Sequence, residues 1–337
     1  MSSLNIKINQ KSNIPLYKQI ADSISKQIDK GQIVKGAILP SINVFSKEFS
    51  VARDTIENAY KILKKDGYIS SVKSRGYFVN GKKEKRLRVL LVLNKISFFK
   101  KIVYYSFLNA LKKKALVDLQ IHHYNPALLK EILEKNIGLY DYFVIMPHFE
   151  TNTPKAEYIE VLKMVPENEL VLLDKSVPEI FGSMSVTQDF MYDTYGALAS
   201  FKNQFEKYEE IILLFPEFSN HPIEIIEGIQ LFCKQHKFKL KKRSDSLHLK
   251  LVKKQCYIVI EDDDLTTLIK QTRTDKLVIG KDIGILSFNE TQLKELLDIS
   301  VISTDFELMG QTAADLILGS QYIHVKNPFN VIKRSSL

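Results

Sequence analysis

From Arg88 onward short apolar runs alternate with amphipathic stretches, and this alternation constrains the fold of the 337-residue chain more than any other feature. RVLLVL (88–93) precedes a predicted helix near 98–113, and VDLQIHHY (117–124) precedes one near 126–136. DYFVIM (141–146) and ELVLLD (169–174) extend the series. A second series runs EIILLF (210–215), a helix near 222–236, CYIVI (256–260), a helix near 264–272 and IGILSF (283–288). Strands joined through helices cannot close as hairpins, so they pair in parallel beneath the helices. Two such series predict two Rossmann-like lobes with a cleft between them.

The first quarter of the chain reads differently. Residues 1–88 hold 18 Lys+Arg against 7 Asp+Glu, whereas the remainder holds 30 against 32, so the whole net charge of +9 originates in the small N-terminal part. A basic module joined to a near-neutral one suits a polyanion reader attached to something that senses or catalyses. Within it, Ile14, Leu16, Ile20, Ile24 and Ile28 recur at helical spacing around Pro15, and Gly31 ends the stretch. Ser41 is an N-cap type residue before a second short helix that turns Ile42, Phe45 and Phe49 inward. Ile56, Tyr60 and Leu63 form the stripe of a third, beginning near Ala52 and stopped by Gly67. YIS (68–70) and YFV (77–79) then flank a polar turn. Three helices and a small hairpin describe a winged helix-turn-helix.

PLYKQI (15–20), GQIVKGAILPS (31–41), VARDTIENAYKILKKDGYI (51–69) and RGYFV (75–79) resemble the DNA-binding domain of the GntR family, with each landmark in order. The resemblance implies DNA contacts from Ser41, Asn43, Arg53, Asp54 and Thr55, and from Lys73, Arg75 and Gly76 in the wing. Three positions depart from the pattern: Asn43 stands where an Arg is usual, Ala52 replaces a Ser or Thr cap, and Ser74 replaces the first wing Gly. Arg53 can reach a guanine edge in the major groove, while the short hydroxyls and wing cations suit phosphate or the minor groove. The family resemblance also implies a homodimer on a palindromic operator, and repression rather than activation.

GILSFNE (284–290), SVISTDFELMGQTAADLIL (300–318) and IKRSS (332–336) resemble the closing segments of the LacI/GalR effector domain, which is similar to type I periplasmic sugar-binding proteins. The resemblance implies three crossings between lobes, near Ser185–Asp189, Ser287–Ser303 and Gly319–Val325. The expected organisation is a winged helix over 1–79, a basic linker over 80–87 and a two-lobed α/β effector domain over 88–337.

Parallel sheets present ligands at the C-terminal ends of their strands. The candidates there are Asn94, Lys95, Ser97, His148 and Asp174 in the first lobe, Asp189 at a crossing, and Glu261, Asp262 and Asn289 in the second. Carboxylates, amides and a cation with aromatic faces suit the hydroxyls of a monosaccharide or sugar phosphate. No cofactor is implied.

Other patterns point away from catalysis. Gly76–Lys82 has P-loop spacing but Lys83 follows where Ser or Thr is required. His122 and His123 face opposite ways, and Asp264 reads as a helix cap rather than part of a Mg²⁺ pocket. The chain has no GxSxG, HExxH, GxGxxG or CxxC pattern, so an enzyme is not expected. A DNA-binding module fused to an enzyme-like or different effector domain is the alternative. Two cysteines and no N-terminal apolar region fit a reducing cytoplasm, and no apolar run approaches the ~20 residues of a membrane helix.

Overall fold

The computed structural model describes residues 6, 15–73, 75–81, 86–217, 220–247 and 249–337. Ile14, Ser74 and the linker residues 82–85 lie outside the described residues. The chain divides into two compact units, Met1–Lys85 and Arg86–Leu337.

In the first unit α1 (Leu16–Asp29) is followed by β1 (Ile38–Leu39), α2 (Ile42–Phe49), α3 (Arg53–Lys65), β2 (Ile69–Val72) and β3 (Gly76–Val79). The isoleucine stripe of α1, Ile20, Ile24 and Ile28, is almost fully buried against Ile56, Tyr60 and Leu63 of α3 and Phe45 of α2. Tyr60 reaches through this core and donates its hydroxyl to the Pro40 carbonyl at 2.8 Å, fixing the entry to α2. The strands form an antiparallel sheet in the order β1-β3-β2, with Ile69 opposite Val79 and Ile38 opposite Phe78. This is a winged helix-turn-helix.

The first lobe of the second unit begins with β4 (Leu87–Leu93), α4 (Phe98–Leu111), β5 (Ala115–Ile121), α5 (Pro126–Asn136) and β6 (Tyr142–Ile145). It continues through α6 (Lys155–Leu162), β7 (Leu170–Lys175) and β8 (Met184–Gln188). The second lobe contains α7 (Phe190–Ser200), α8 (Lys202–Phe205), β9 (Glu210–Leu214), α9 (Glu224–His236) and β10 (Lys239–Arg243). Next come β11 (Gln255–Val259), α10 (Asp262–Thr274), β12 (Gly284–Phe288), α11 (Gln292–Leu296) and β13 (Ser300–Thr304). Last are α12 (Phe306–Gly319), β14 (His324–Lys326) and β15 (Phe329–Ile332). The sheets run β14-β8-β7-β6-β4-β5 and β10-β9-β11-β12-β13-β15, parallel throughout except for the β13–β15 pair.

Residue alternation sorts each buried strand onto two cores. Val89, Leu91 and Leu93 face α4 and α12, while Leu90 and Val92 face α5 and α6. Ile211 and Leu213 pack with α7 and α9, and Ile212 and Leu214 with α10. Close helix contacts need glycine: a Cβ on Gly310 of α12 would lie 2.4 Å from the Val103 carbonyl oxygen of α4.

The chain passes between lobes three times, and the passages lie side by side. Asp189 leads from the first sheet into α7, Asp305 leads from β13 back to α12 on the first lobe, and residues 327–328 join β14 to β15. Thr304 donates to Gln188 at 2.9 Å, Asn327 N–H donates to the Thr187 carbonyl at 2.8 Å, and Asn327 Nδ2 donates to the Asp305 carbonyl at 3.2 Å. The second and third crossings therefore fall later than the expected Ser287–Ser303 and Gly319–Val325. Ser300–Thr304 is a fully buried strand, and His324–Lys326 adds to the first sheet beside β8. β4 opens at Leu87, inside the expected linker, because Leu87 already pairs with Ala115.

Candidate functional site

In the winged helix the residues expected at DNA stand on three short segments. Ser41 caps α2 by accepting the Val44 N–H at 3.3 Å, and Asn43 is exposed one residue into that helix. Arg53 and Asp54 are exposed in the first turn of α3, with Thr55 half-buried behind them. Ala52 occupies the cap position of α3 with extended backbone and no side-chain hydrogen bond. Lys73, Arg75 and Gly76 are exposed at the β2–β3 turn, where the Arg75 N–H donates to Val72 O at 3.0 Å and Gly76 takes φ +96°. Among the described residues, no ion pair or hydrogen bond engages the side chains of Arg53, Lys73 or Arg75, so their cations are free to meet an anionic partner.

Both sheets of the second unit reverse strand order beside their first strands, and open α/β sheets bind ligands at that point. A cleft of about 780 Å³ lies there. Asn94, Lys95, Ser97, His148, Asp174, Glu261, Asp262 and Asn289 all line it. Asp189 does not. Its carboxylate accepts the Tyr192 N–H at 3.1 Å and is taken up as the cap of α7. Asp264 also departs from its expected role, because α10 begins two residues earlier. Its carboxylate is buried and accepts both the N–H and the hydroxyl of Ser246, at 2.8 and 2.6 Å.

The first-lobe wall is organised around Asp174. Lys100 Nζ lies 2.7 Å and His148 Nε2 3.0 Å from the same Oδ2, with all three side chains buried. Burial would push the Asp174 carboxyl up, but the Lys100 ammonium and the His148 hydrogen bond outweigh it and hold it well below the carboxylate range. Burial lowers the pKa of His148, so at neutral pH its imidazole is uncharged and donates from Nε2. Asp174 holds a left-handed backbone, φ 71°, and Asn289 across the cleft does the same at φ 62°. Such conformations cost of order 1–3 kcal/mol and are kept where surroundings fix them.

The second-lobe wall carries Glu261, whose Oε1 is 2.6 Å from His221 Nε2. That hydrogen bond above all holds the Glu261 carboxyl down against burial, with help from Lys95 and Lys294. Lys294, almost fully buried, binds the Phe288 and Asn289 carbonyls at 2.6 and 2.9 Å and Asp262 at 2.8 Å. It thereby fixes the loop that carries Asn289.

Lys100, Lys294, Gln188 and His221 are missing from the sequence-based set. Lys100 sits one turn into a helix, where a lysine reads as solvated, and only its distance from the end of β4 could have flagged it. Two buried polar atoms in the cleft have no partner among the described residues: Asn94 Oδ1 and Gln188 Nε2. Phe98, Phe99, Phe190, Phe288, Phe306 and Tyr124 supply aromatic surface. The described residues contain no group of three or more His, Cys, Asp or Glu placed to hold a metal, and no helix long and apolar enough to cross a membrane.

A winged helix-turn-helix followed by a two-lobed, parallel-sheet fold with a polar cleft defines a two-part architecture, and comparison gives each part its type. Residues 16–79 match the family described as bacterial regulatory proteins, gntR family. Over 73 residues the chain is 37% identical to the mannosyl-D-glycerate transport/metabolism system repressor MngR of Escherichia coli (strain K12), covering 22% of this chain and 29% of that protein. The chain spans less than a third of the length of such curated relatives.

Solved structures share the two-lobed fold. The lac repressor dimer bound to operator and the anti-inducer ONPF superposes with a TM-score of 0.59 at 14% identity, over 75% of this chain and 94% of that chain. A periplasmic binding protein/LacI transcriptional regulator from Alkaliphilus metalliredigens QYMF, complexed with D-xylulofuranose, gives a TM-score of 0.55 at 14% identity, over 74% and 98%. The protein thus joins a gntR-type helix-turn-helix to an α/β domain of the LacI and periplasmic-binding-protein fold.

Proposed function

We propose that the protein is a transcription regulator, acting as a repressor, whose operator affinity is set by a small molecule held between the lobes of its second unit. The observation that carries this reading is the union in one chain of an exposed Arg53 on a gntR-type recognition helix and a cleft with unsatisfied buried polar groups. The cleft volume is within the range of small-molecule sites, roughly 300–1,000 Å³. The sugar in the A. metalliredigens complex supports a monosaccharide as the effector class. The protein acts in the cytoplasm as a homodimer on a palindromic operator, since two-fold symmetry in the protein matches two-fold symmetry in DNA.

Regulation requires that the ligand bind one lobe arrangement better than another. Groups from both lobes meet in the cleft, so an open arrangement leaves half the ligand's polar groups unpaired. Duplexes selected from a random library by the full chain would supply the operator, and fluorescence anisotropy across a monosaccharide panel would test the coupling. A cleft ligand is expected to change operator affinity by a factor of about 5–150, and operator must change ligand affinity by the same factor. Equal operator affinity with and without a tightly bound ligand would refute the reading.

A further inference from the structure

The distribution of charge in the cleft narrows the effector's chemistry, an argument that rests on the cleft being the effector site. Seven carboxylates line it against two lysines, with no arginine among the lining residues, and one of the seven, Asp193, is paired with Lys326 at 2.6 Å. One of those lysines, Lys100, is already bound to Asp174. The other, Lys95, is exposed with its ammonium 6.0 Å from the Tyr124 ring centroid. The second-lobe wall presents Asp245, Glu261, Asp262, Asp263 and Asp264, and the lysine behind it, Lys294, is consumed by Asp262 and two carbonyls. Asp263 is exposed, and no ion pair engages it among the described residues.

A phosphate would find no seat on this surface. Helix N-termini are the usual anion sites in such folds, but here each is either capped by the chain or carries carboxylates in its first turn, as the uncapped α9 does with Glu224 and Glu227. Ser97 accepts from Lys100 N–H, Asp305 accepts from Leu308 N–H, and the first turn of α10 carries three aspartates of its own.

An independent observation points to a ligand that donates hydrogen bonds. Asn94 is 3% exposed and lines the cleft, and its Oδ1 accepts from nothing among the described residues. Asn94 lines the same cleft as Glu261, Asp262 and Asp263. A donor-rich cation between them would satisfy the Asn94 acceptor and offset the carboxylates, and the aromatic rings around it favour a cation further.

We propose that the effector is a polyhydroxylated small molecule bearing a protonated amine, an amino sugar in class, with the ammonium on the Glu261–Asp263 wall and with no phosphate. Isothermal calorimetry on the full chain near neutral pH would compare D-glucosamine, D-galactosamine and D-mannosamine with the parent hexoses and their 6-phosphates. At least one amine is expected to bind on the order of tenfold or more tightly than its parent hexose, the scale of a hydrogen bond to a charged group. The 6-phosphates should bind more weakly still.

Asp263→Asn should weaken the amine and leave its parent hexose unchanged. Because Asp263 is exposed, the melting temperature of that variant should stay at the wild-type value. A hexose or hexose phosphate that binds as tightly as its amine, or three amines that fail to bind, would overturn the assignment. An amine that binds without altering operator affinity would overturn the regulatory reading alone. A phosphorylated sugar that releases operator would do the reverse.

Discussion

Arg53 and Lys73 carry the same charge from different places, and their replacement should separate reading from holding. Arg53→Ala is expected to cost roughly 1–3 kcal/mol on a selected operator and much less on random duplex. Lys73→Ala should weaken both about equally and flatten the salt dependence, and filter binding across a salt series would measure each. His122 gives a second single-residue expectation. Its Nε2 lies 3.0 Å from the Met146 carbonyl, its Nδ1 is buried without a partner among the described residues, and burial lowers its pKa to about 4. The unfolded chain therefore takes up a proton more readily than the folded one. Stability present above about pH 6.5 is lost as pH falls towards about 4, by up to about 3 kcal/mol. Buried His148 acts in the same direction. Urea midpoints at descending pH should show the slope, and His122→Gln should flatten it while keeping an amide donor for Met146. At this scale the sequence is legible where strand ends define the site, as for Asn94, His148 and Glu261. It is silent where a buried lysine looks like a surface one, as for Lys100 and Lys294. Asp189 misleads for a related reason: an aspartate between a strand and a helix serves equally as ligand or cap, and only the Tyr192 N–H decides it.

Two helices of the winged helix differ at a single cap. Ser41 holds φ −61° and ψ 154° and accepts from Val44, whereas Ala52 holds φ −57° and ψ 141° with nothing to offer. The backbone at 52 is thus already shaped for a capping hydroxyl, and Ala52→Ser should add about 0.5–2 kcal/mol to α3, read by scanning calorimetry of the full chain. Helices with a clear stripe or cap are legible from sequence, and Pro126–Asn136 falls where its periodicity puts it. β10 is not legible. Its sequence, KLKKR, has the composition of a solvated turn, yet it pairs residue by residue with β9 as the edge of the second sheet. Charged side chains on an edge strand block pairing with other chains, so the feature that hides it is the one that suits it to an edge. Ser300–Thr304 fails in the opposite way. Two serines and a threonine in a five-residue run look like a connection, but Ser300 donates to the Arg334 carbonyl and Ser303 to that of Thr304, which permits burial inside the sheet.

Across the whole second unit the lobes are tied by Lys175, at the end of β7, and Glu224, at the start of α9, whose charges lie 3.4 Å apart. Lys175→Met should weaken a cleft ligand by up to about fivefold, the upper end for a partly exposed pair, and calorimetry should find that loss absent in a Glu224→Gln background. The three adjacent crossings have a consequence for the order in which the protein can be made. Met309, Ala313, Ala314 and Ile317 of α12 fill the first lobe's core, although the strands they cover are among the earliest of that unit to leave the ribosome. Val103 and Phe107 must wait uncovered while β9 to β13 are translated, so the sensing unit completes itself only after synthesis nears its end. The winged helix is built from one continuous stretch and has no such delay. On the regulatory reading, a nascent chain gains its grip on DNA before it gains an ear for the effector, and a premature stop upstream of Phe306 would leave a reader that no metabolite can call off.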